Sequence, residues 1–360
     1  MKFTRLALAA TLAAAGAGFA GSALAQAQEQ FIPLLSYRTG QLAPLGIPWA
    51  DGKQDYLKLV NAKGGINGVK ITYEECETAY DTSRGVECYE RLKGKGGGAA
   101  GFDTQSTGIT FAVTDKAPAD KMPVITPGYG LSQSADGKVF EWNFPLLANY
   151  WTGADAVVQD ILKQEKGSLK GKKIALVYHD SPYGKEPIPL LQKRAEKEGF
   201  ALQLLPVTAP GVEQKATWLQ VRQNRPDYVI LWSAGVMTPT AIREAQATGF
   251  PREKMYAVWW AGSDHDVKDI AGAKGYKTVT IHNTAEHDKI HDEIKAQVYD
   301  KGQGTASDVR ELGAMAHTRG MVIAMLQVEA IRTAQEKYGK GKYMTPEQVR
   351  WGLENLNLTQ

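Results

Sequence analysis

Two stretches of the chain have spacings used by enzymes. Gly96-Gly97-Gly98-Ala99-Ala100-Gly101 matches G-x-G-x-x-G, in which glycines let a strand-to-helix turn approach a pyrophosphate. Here the run precedes a short strand and opens no helix, so it reads as a turn and no dinucleotide cofactor is expected. His287-Asp288-Lys289-Ile290-His291 sets two histidines four positions apart, as a helix does when it offers two nitrogens to zinc. Asp stands where a metalloprotease places its Glu, and the mixed charge suits a solvated helix face, so no metal is expected either. No G-x-S-x-G elbow occurs, and the six histidines form no Ser/His/Asp grouping by spacing. The chemistry expected is binding, without catalysis and without cofactors.

Binding residues collect after candidate strands. The loops are Asp103-Thr104-Gln105-Ser106-Thr107, Pro127-Gly128-Tyr129-Gly130, His179-Asp180-Ser181-Pro182-Tyr183-Gly184, Ser233-Ala234-Gly235 and Trp259-Trp260-Ala261-Gly262-Ser263-Asp264. Hydroxyls beside the orphan N–H groups of a helix start suit a carboxylate, although Ser and Thr there also serve as plain N-caps.

The elements behind these loops alternate. Strands are expected at 31–36, 69–73, 99–102 and 124–126, with helices at 51–62 and 108–117. After Asn143-Phe144-Pro145 the alternation restarts, with helices at 152–165, 183–198, 213–223 and 238–248 and strands at 173–178, 201–206, 228–232 and 255–259. A strand at 278–282, a long helix at 314–337 and a last helix at 345–356 follow. This pattern means βαβ units, parallel sheets covered on both faces, and an α/β fold of two doubly wound lobes. Ligands of such sheets sit outside the carboxyl ends of the strands.

Charge and targeting narrow the class. Lys and Arg number 42 against 39 Asp and Glu in 360 residues, too balanced a field for nucleic-acid binding. Met1 to Arg5, the apolar stretch from Leu6 to Ala20 and Ala23-Leu24-Ala25 form the pattern of a cleaved signal peptide over 1–25. Export to an oxidising compartment would favour a disulfide between Cys76 and Cys88, the only cysteines; two buried thiols are the alternative.

The order of these segments carries a resemblance. The first strand and helix, then Asn61-Ala62-Lys63-Gly64-Gly65-Ile66-Asn67-Gly68, Val124-Ile125-Thr126-Pro127 and Tyr178-His179-Asp180-Ser181-Pro182-Tyr183-Gly184, resemble the leucine/isoleucine/valine-binding family of periplasmic solute receptors for ABC importers. The resemblance spans nearly the whole chain after the signal. It implies a monomer of two lobes, 26–145 with 280–337 and 146–279 with 338–360, joined by three crossovers. It also implies closure over a small ligand that is delivered to a membrane permease and ATPase.

By the same resemblance, Thr104, Gly128 and Gly130 would hold a ligand carboxylate and Tyr183 would cover it. Trp260 stands where amino-acid receptors place the acidic partner of the ammonium, and a buried cation without a carboxylate is costly. Asp264, four residues on, is the alternative partner. Trp49, Tyr129, Tyr150, Trp151, Tyr183, Trp259 and Trp260 fall near the proposed cleft and would stack on a flat ligand, or simply pack the lobes together. A small hydrophobic or aromatic carboxylate is therefore expected, with Arg38 offering a bidentate contact; an aromatic cage for a quaternary ammonium is a third reading. The candidate contacts are Arg38, Thr104, Gln105, Ser106, Gly128, Tyr129, Gly130, Tyr150, Tyr183, Ala234, Trp259, Trp260 and Asp264. Against the importer receptor stand a true branched-chain amino-acid receptor using Asp264, and a sensor ectodomain or exported enzyme on the same scaffold.

Overall fold

The computed structural model describes residues 29–283 and 287–358; the expected signal peptide lies outside the described residues. The first lobe runs β1 (Gln30–Ser36), α1 (Ala43–Ala62), β2 (Ile71–Glu77), α2 (Thr82–Leu92), β3 (Phe102–Asp103), α3 (Thr107–Thr114), α4 (Ala117–Asp120), β4 (Val124–Ile125) and β5 (Asn143–Phe144). β1 pairs in parallel with β2, and β3, β4 and β5 pair in parallel with one another. Ala100 N–H donates to Phe31 O at 3.0 Å, which brings β3 alongside β1.

β1 is buried along its whole length because it serves two cores. Ile32 and Leu34 face a core with Leu57, Val60, Met321 and Val328, while Phe31 and Leu35 face another with Tyr89, Phe102, Ile109 and Val113. Alternation of side chains along a strand produces this division.

The second lobe comprises α5 (Tyr150–Gln164), β6 (Lys173–His179), α6 (Pro182–Lys185), α7 (Ile188–Glu198), β7 (Ala201–Val207), α8 (Lys215–Asn224), β8 (Tyr228–Trp232), α9 (Met237–Ala247), β9 (Met255–Ala257), α10 (Asp264–Val267) and β10 (Lys277–Thr278). Its parallel sheet has the order β10-β9-β8-β6-β7. The chain then forms α11 (Lys289–Ile294), α12 (Met315–Tyr338) and α13 (Pro346–Glu354).

Several boundaries differ from the sequence reading for identifiable reasons. The helix expected from Asp51 starts at Ala43, with Pro44 in its first turn and Pro48 inside it. Its glycines act as contact points, not breakers. A Cβ on Gly52 would lie 1.9 Å from His317 O, and one on Gly320 of α12 would lie 2.0 Å from Trp49 O, so α1 and α12 approach backbone to backbone. The helix expected at 183–198 divides into α6 and α7 around Pro187, whose ring removes an N–H donor. The strand expected at 255–259 stops at Ala257, and Trp259–Ala261 turns into a single 3₁₀ turn. The histidines expected on one helix are separated: Asp288 is the N-cap of α11, His291 Nδ1 accepts from Asp288 N–H at 3.0 Å, and His291 Nε2 lies 3.1 Å from Thr318 Oγ1.

One domain boundary is corrected. Residues 338–360 were expected in the second lobe, but Met344, Val349 and Leu353 belong to the first-lobe core with Ile32 and Leu34. Gln30 fixes the attachment by donating to Met344 O and accepting from Met344 N–H at 3.2 and 2.8 Å.

Cys76 of β2 and Cys88 of α2 form a disulfide across a separation of 12 residues. Restricting so short a loop in the unfolded chain is worth about 3 kcal/mol in the chain-entropy model. The α1–α12 contact is a second constraint, set by close packing. Gly320→Ala is expected to lower unfolding free energy by about 3 kcal/mol through overpacking against backbone. Gly94→Ala, where an added Cβ meets nothing within 4 Å, should be near neutral; urea titration of both variants checks this.

Candidate functional site

The lobes meet over a small cavity of about 20 Å³, room for about one water molecule, so a larger ligand enters only when its walls part. The first lobe contributes Tyr37 after β1, Leu42, Leu45 and Trp49 around the start of α1, Tyr80 after β2, Gln105 and Thr107 at the start of α3, and Tyr129 after β4. The second contributes Tyr150 from the first turn of α5, Tyr183 of α6, Ala234 after β8 and Trp260 after β9. No lining residue carries a charge. The lobes are closed on each other, with Trp260 and Tyr183 each 4% exposed.

Aromatic contacts form the walls. Trp49 and Trp260 stack across the lobes with centroids 4.7 Å apart, Tyr37 meets Trp49 edge-on at 5.8 Å, and Tyr150 stacks on Trp259 at 5.9 Å. Burial pushes the Tyr37, Tyr129, Tyr150 and Tyr183 phenols well above their ordinary range, and Tyr80 up to about 12. These hydroxyls therefore keep their protons at neutral pH.

A buried network sets the polar end. Lys53 of α1 bonds Asp103 at 2.7 Å, with both side chains 1% exposed. Asp103 also accepts from the Tyr129 hydroxyl, which in turn accepts from Gln105 N–H at 2.8 Å. A buried ion pair is tolerated when further hydrogen bonds support it, and here the Tyr129 hydroxyl supports Asp103 while tying it to the loop that presents Gln105. That residue adopts φ +55°, a left-handed conformation uncommon outside glycine. Its side-chain nitrogen and oxygen are both buried without a partner among the described residues. Thr107 Oγ1 is likewise unbonded, with the Tyr150 hydroxyl as neighbour. A ligand oxygen near Gln105 Nε2 and Thr107 would meet hydrogen-bond donors in a dry, uncharged space.

A scan of family models matches residues 29–360 to the periplasmic binding protein family. The chain belongs to this family. It is 25% identical over 284 residues to "Leu/Ile/Val-binding protein homolog 8" of Brucella suis, covering 78% of this chain and 69% of that protein. A structure from the Pseudomonas fluorescens group, described as an ABC transporter permease, is 42% identical with TM-score 0.83, covering 92% of this chain and 81% of that one. A branched-chain amino-acid ABC transporter protein of Thermus thermophilus with bound valine has TM-score 0.76 at 22% identity, covering 90% and 82%; that likeness concerns the fold. Two lobes of parallel α/β structure are the architecture these relatives share with this chain.

Within that fold, the candidate residues separate into groups. Gln105, Tyr129, Tyr150, Tyr183, Ala234 and Trp260 line the cavity. Thr104 and Ser106 stand behind it: the Thr104 hydroxyl bonds Thr110 at 2.6 Å, and Ser106 caps α3. Gly128 and Trp259 form the seam, where the Gly128 carbonyl accepts from Trp259 Nε1 at 2.6 Å and Trp260 Nε1 at 3.0 Å. Gly128 has φ +78°, and a Cβ there would meet Ile281 at 2.4 Å. A Cβ on Gly130 would press on Thr107 and Glu186, so that glycine permits close lobe contact.

Two expectations are corrected. Arg38 does not face the cavity, because Asp51 and Glu75 take its guanidinium. Asp264 is exposed and accepts from Met315 N–H at 2.8 Å at the start of α12, so it is no ammonium partner. Tyr37, Leu42, Leu45, Tyr80 and Thr107 were not among the candidates. Tyr37 and Tyr80 follow strands, so the carboxyl-end rule applied to every strand would have found both.

Glu186, between α6 and α7, latches the lobes from the second side. Its carboxylate accepts from Ser132 N–H at 2.9 Å and from the Ser132 hydroxyl at 2.5 Å. Burial pushes its pKa up, against the lowering effect of those bonds. A folded-state pKa above the unfolded one means the native protein holds the proton longer, so a penalty sets in as pH rises through the raised value. Glu186→Gln keeps the accepting oxygen and removes the charge. Its stability relative to wild type should rise between pH 4 and pH 7, and urea titrations showing the opposite trend would contradict the raised pKa.

Proposed function

We propose that this chain is the periplasmic, non-catalytic receptor of an ABC importer, exported by a cleaved signal peptide and acting as a monomer. In this reading it closes on a small hydrophobic or aromatic carboxylate and presents it to a membrane permease and its ATPase. The observation that carries the ligand class is the cavity lining: aromatic walls, the unpartnered amide of Gln105 and hydroxyl of Thr107, and no carboxylate to receive an ammonium. An α-amino acid would bury its cation against Trp260 without compensation. A flat acid instead meets these aromatic walls once the Trp49–Trp260 stack parts to admit its ring, with its oxygens against donors. Closure of the lobes about a hinge is the working motion.

Native mass spectrometry of the purified protein, followed by thermal-shift titration, tests this. Benzoate or phenylacetate should raise the melting temperature by a few degrees at saturation, since ligand at about 100 times Kd adds about 2.7 kcal/mol. Leucine and valine should leave it unchanged, and no ligand should be turned over. Trp260→Ala should weaken an aromatic acid about tenfold or more through lost stacking. Tight leucine binding without a response to aromatic acids would overturn the ligand class.

A further inference from the structure

Arg319 of α12 is a buried cation that no feature described so far employs. It is 1% exposed, and none of its three guanidinium nitrogens has a hydrogen-bond partner among the described residues. The guanidinium carbon lies 4.6 Å from the centroid of Trp260, the ring that stacks on Trp49 and lines the cavity. Tyr37 and Tyr150, two further lining residues, are within its electrostatic reach.

Asp266 and Asp264 act on Arg319 through space, and neither hydrogen-bonds it. Asp266 accepts from Ser263 N–H at 3.2 Å and the Ser263 hydroxyl at 2.8 Å, and Asp264 accepts from Met315 N–H. Stacking on an indole offsets part of the cost of burying a guanidinium, but five N–H donors are left unanswered. A charge left unpaired in a core is strongly destabilising, and such features concentrate where a ligand completes them. The group that completes a planar guanidinium fork is a carboxylate.

Trp260 lies between this cation and the cavity, and its indole hydrogen bond goes to a carbonyl that has a second donor. The Gly128 carbonyl that accepts from Trp260 Nε1 also accepts from Trp259 Nε1 at the shorter distance of 2.6 Å. Movement of Trp260 therefore leaves no orphaned carbonyl.

We propose that Arg319 is the charge-reading residue of the cavity, selecting an anionic ligand and meeting its carboxylate once Trp260 shifts. This rests on the carboxylate reading above but not on the aromatic body of the ligand. The test uses wild type, Arg319→Met and Arg319→Lys, with benzoate, benzamide and acetate as probes and tryptophan fluorescence and calorimetry as readouts.

Wild type should prefer benzoate over benzamide at least tenfold and respond to acetate. Arg319→Met should lose both the preference and the acetate response, and Arg319→Lys should retain part of each. The free Met variant should melt no lower than wild type, since a residue with a purely structural role would lower the melting temperature when replaced. The Lys variant keeps the test available should the Met variant fail to fold. Equal benzoate-to-benzamide ratios in wild type and Arg319→Met, an acetate response independent of Arg319, or no acetate response in wild type would each overturn the proposal. An Arg319-dependent acetate response with no benzoate binding would sustain the charge reading while removing the aromatic ligand.

Discussion

The backbone contact between α1 and α12 fixes what the first lobe can offer the second. Because Gly52 faces His317 O and Gly320 faces Trp49 O at distances that admit no Cβ, the two helices lie closer than side chains would allow. Three buried polar groups are set by that contact. Lys53 reaches Asp103, Asp55 accepts from His317 Nε2 at 3.1 Å, and Arg319 comes under Trp260. Asp55 shows how thoroughly such charges are normally met. Burial would raise its pKa, yet bonds from His317, Tyr299 at 2.6 Å and Thr305 N–H at 2.9 Å hold it below the ordinary value.

Against that standard the cleft is divided between satisfied and unsatisfied groups. Lys53, Asp103 and Tyr129 bond one another in a chain, and Tyr129 accepts from Gln105 N–H in a backbone conformation uncommon outside glycine. Gln105, Thr107 and Arg319 are buried with unmet hydrogen-bonding capacity. Buried polar groups in proteins are overwhelmingly paired, so Gln105, Thr107 and the Trp49 indole N–H on the lining, with Arg319 behind Trp260, mark the surface a ligand is meant to complete. Closure is maintained by the tryptophan seam at Gly128 and by Glu186 at Ser132, contacts that bring residues from the two lobes together without filling the cavity.

Arg38 and Arg319 show why reading residues along the chain misplaced the charge. Arg38 follows the first strand, where a ligand contact is expected, but Glu75 lies on the adjacent strand and Asp51 on the following helix, and both claim it. Arg319 lies in the second turn of a long helix, far in sequence from every post-strand loop. Nothing in its neighbourhood distinguishes it from a helix-surface arginine until α12 is packed against α1.

The alternation of strand and helix determined the two parallel α/β lobes, because each element's hydrophobic period is a local property. The post-strand positions of Gln105, Tyr129, Tyr183 and Trp260 were legible for the same reason, since parallel topology sends every strand's carboxyl end to one edge. The attachment of α13 to the first lobe, the helical start of α1 through two prolines, and the meeting of Trp49, Trp260 and Arg319 were decided only by tertiary structure. Each depends on the distance between segments remote in sequence, and that distance is set by packing.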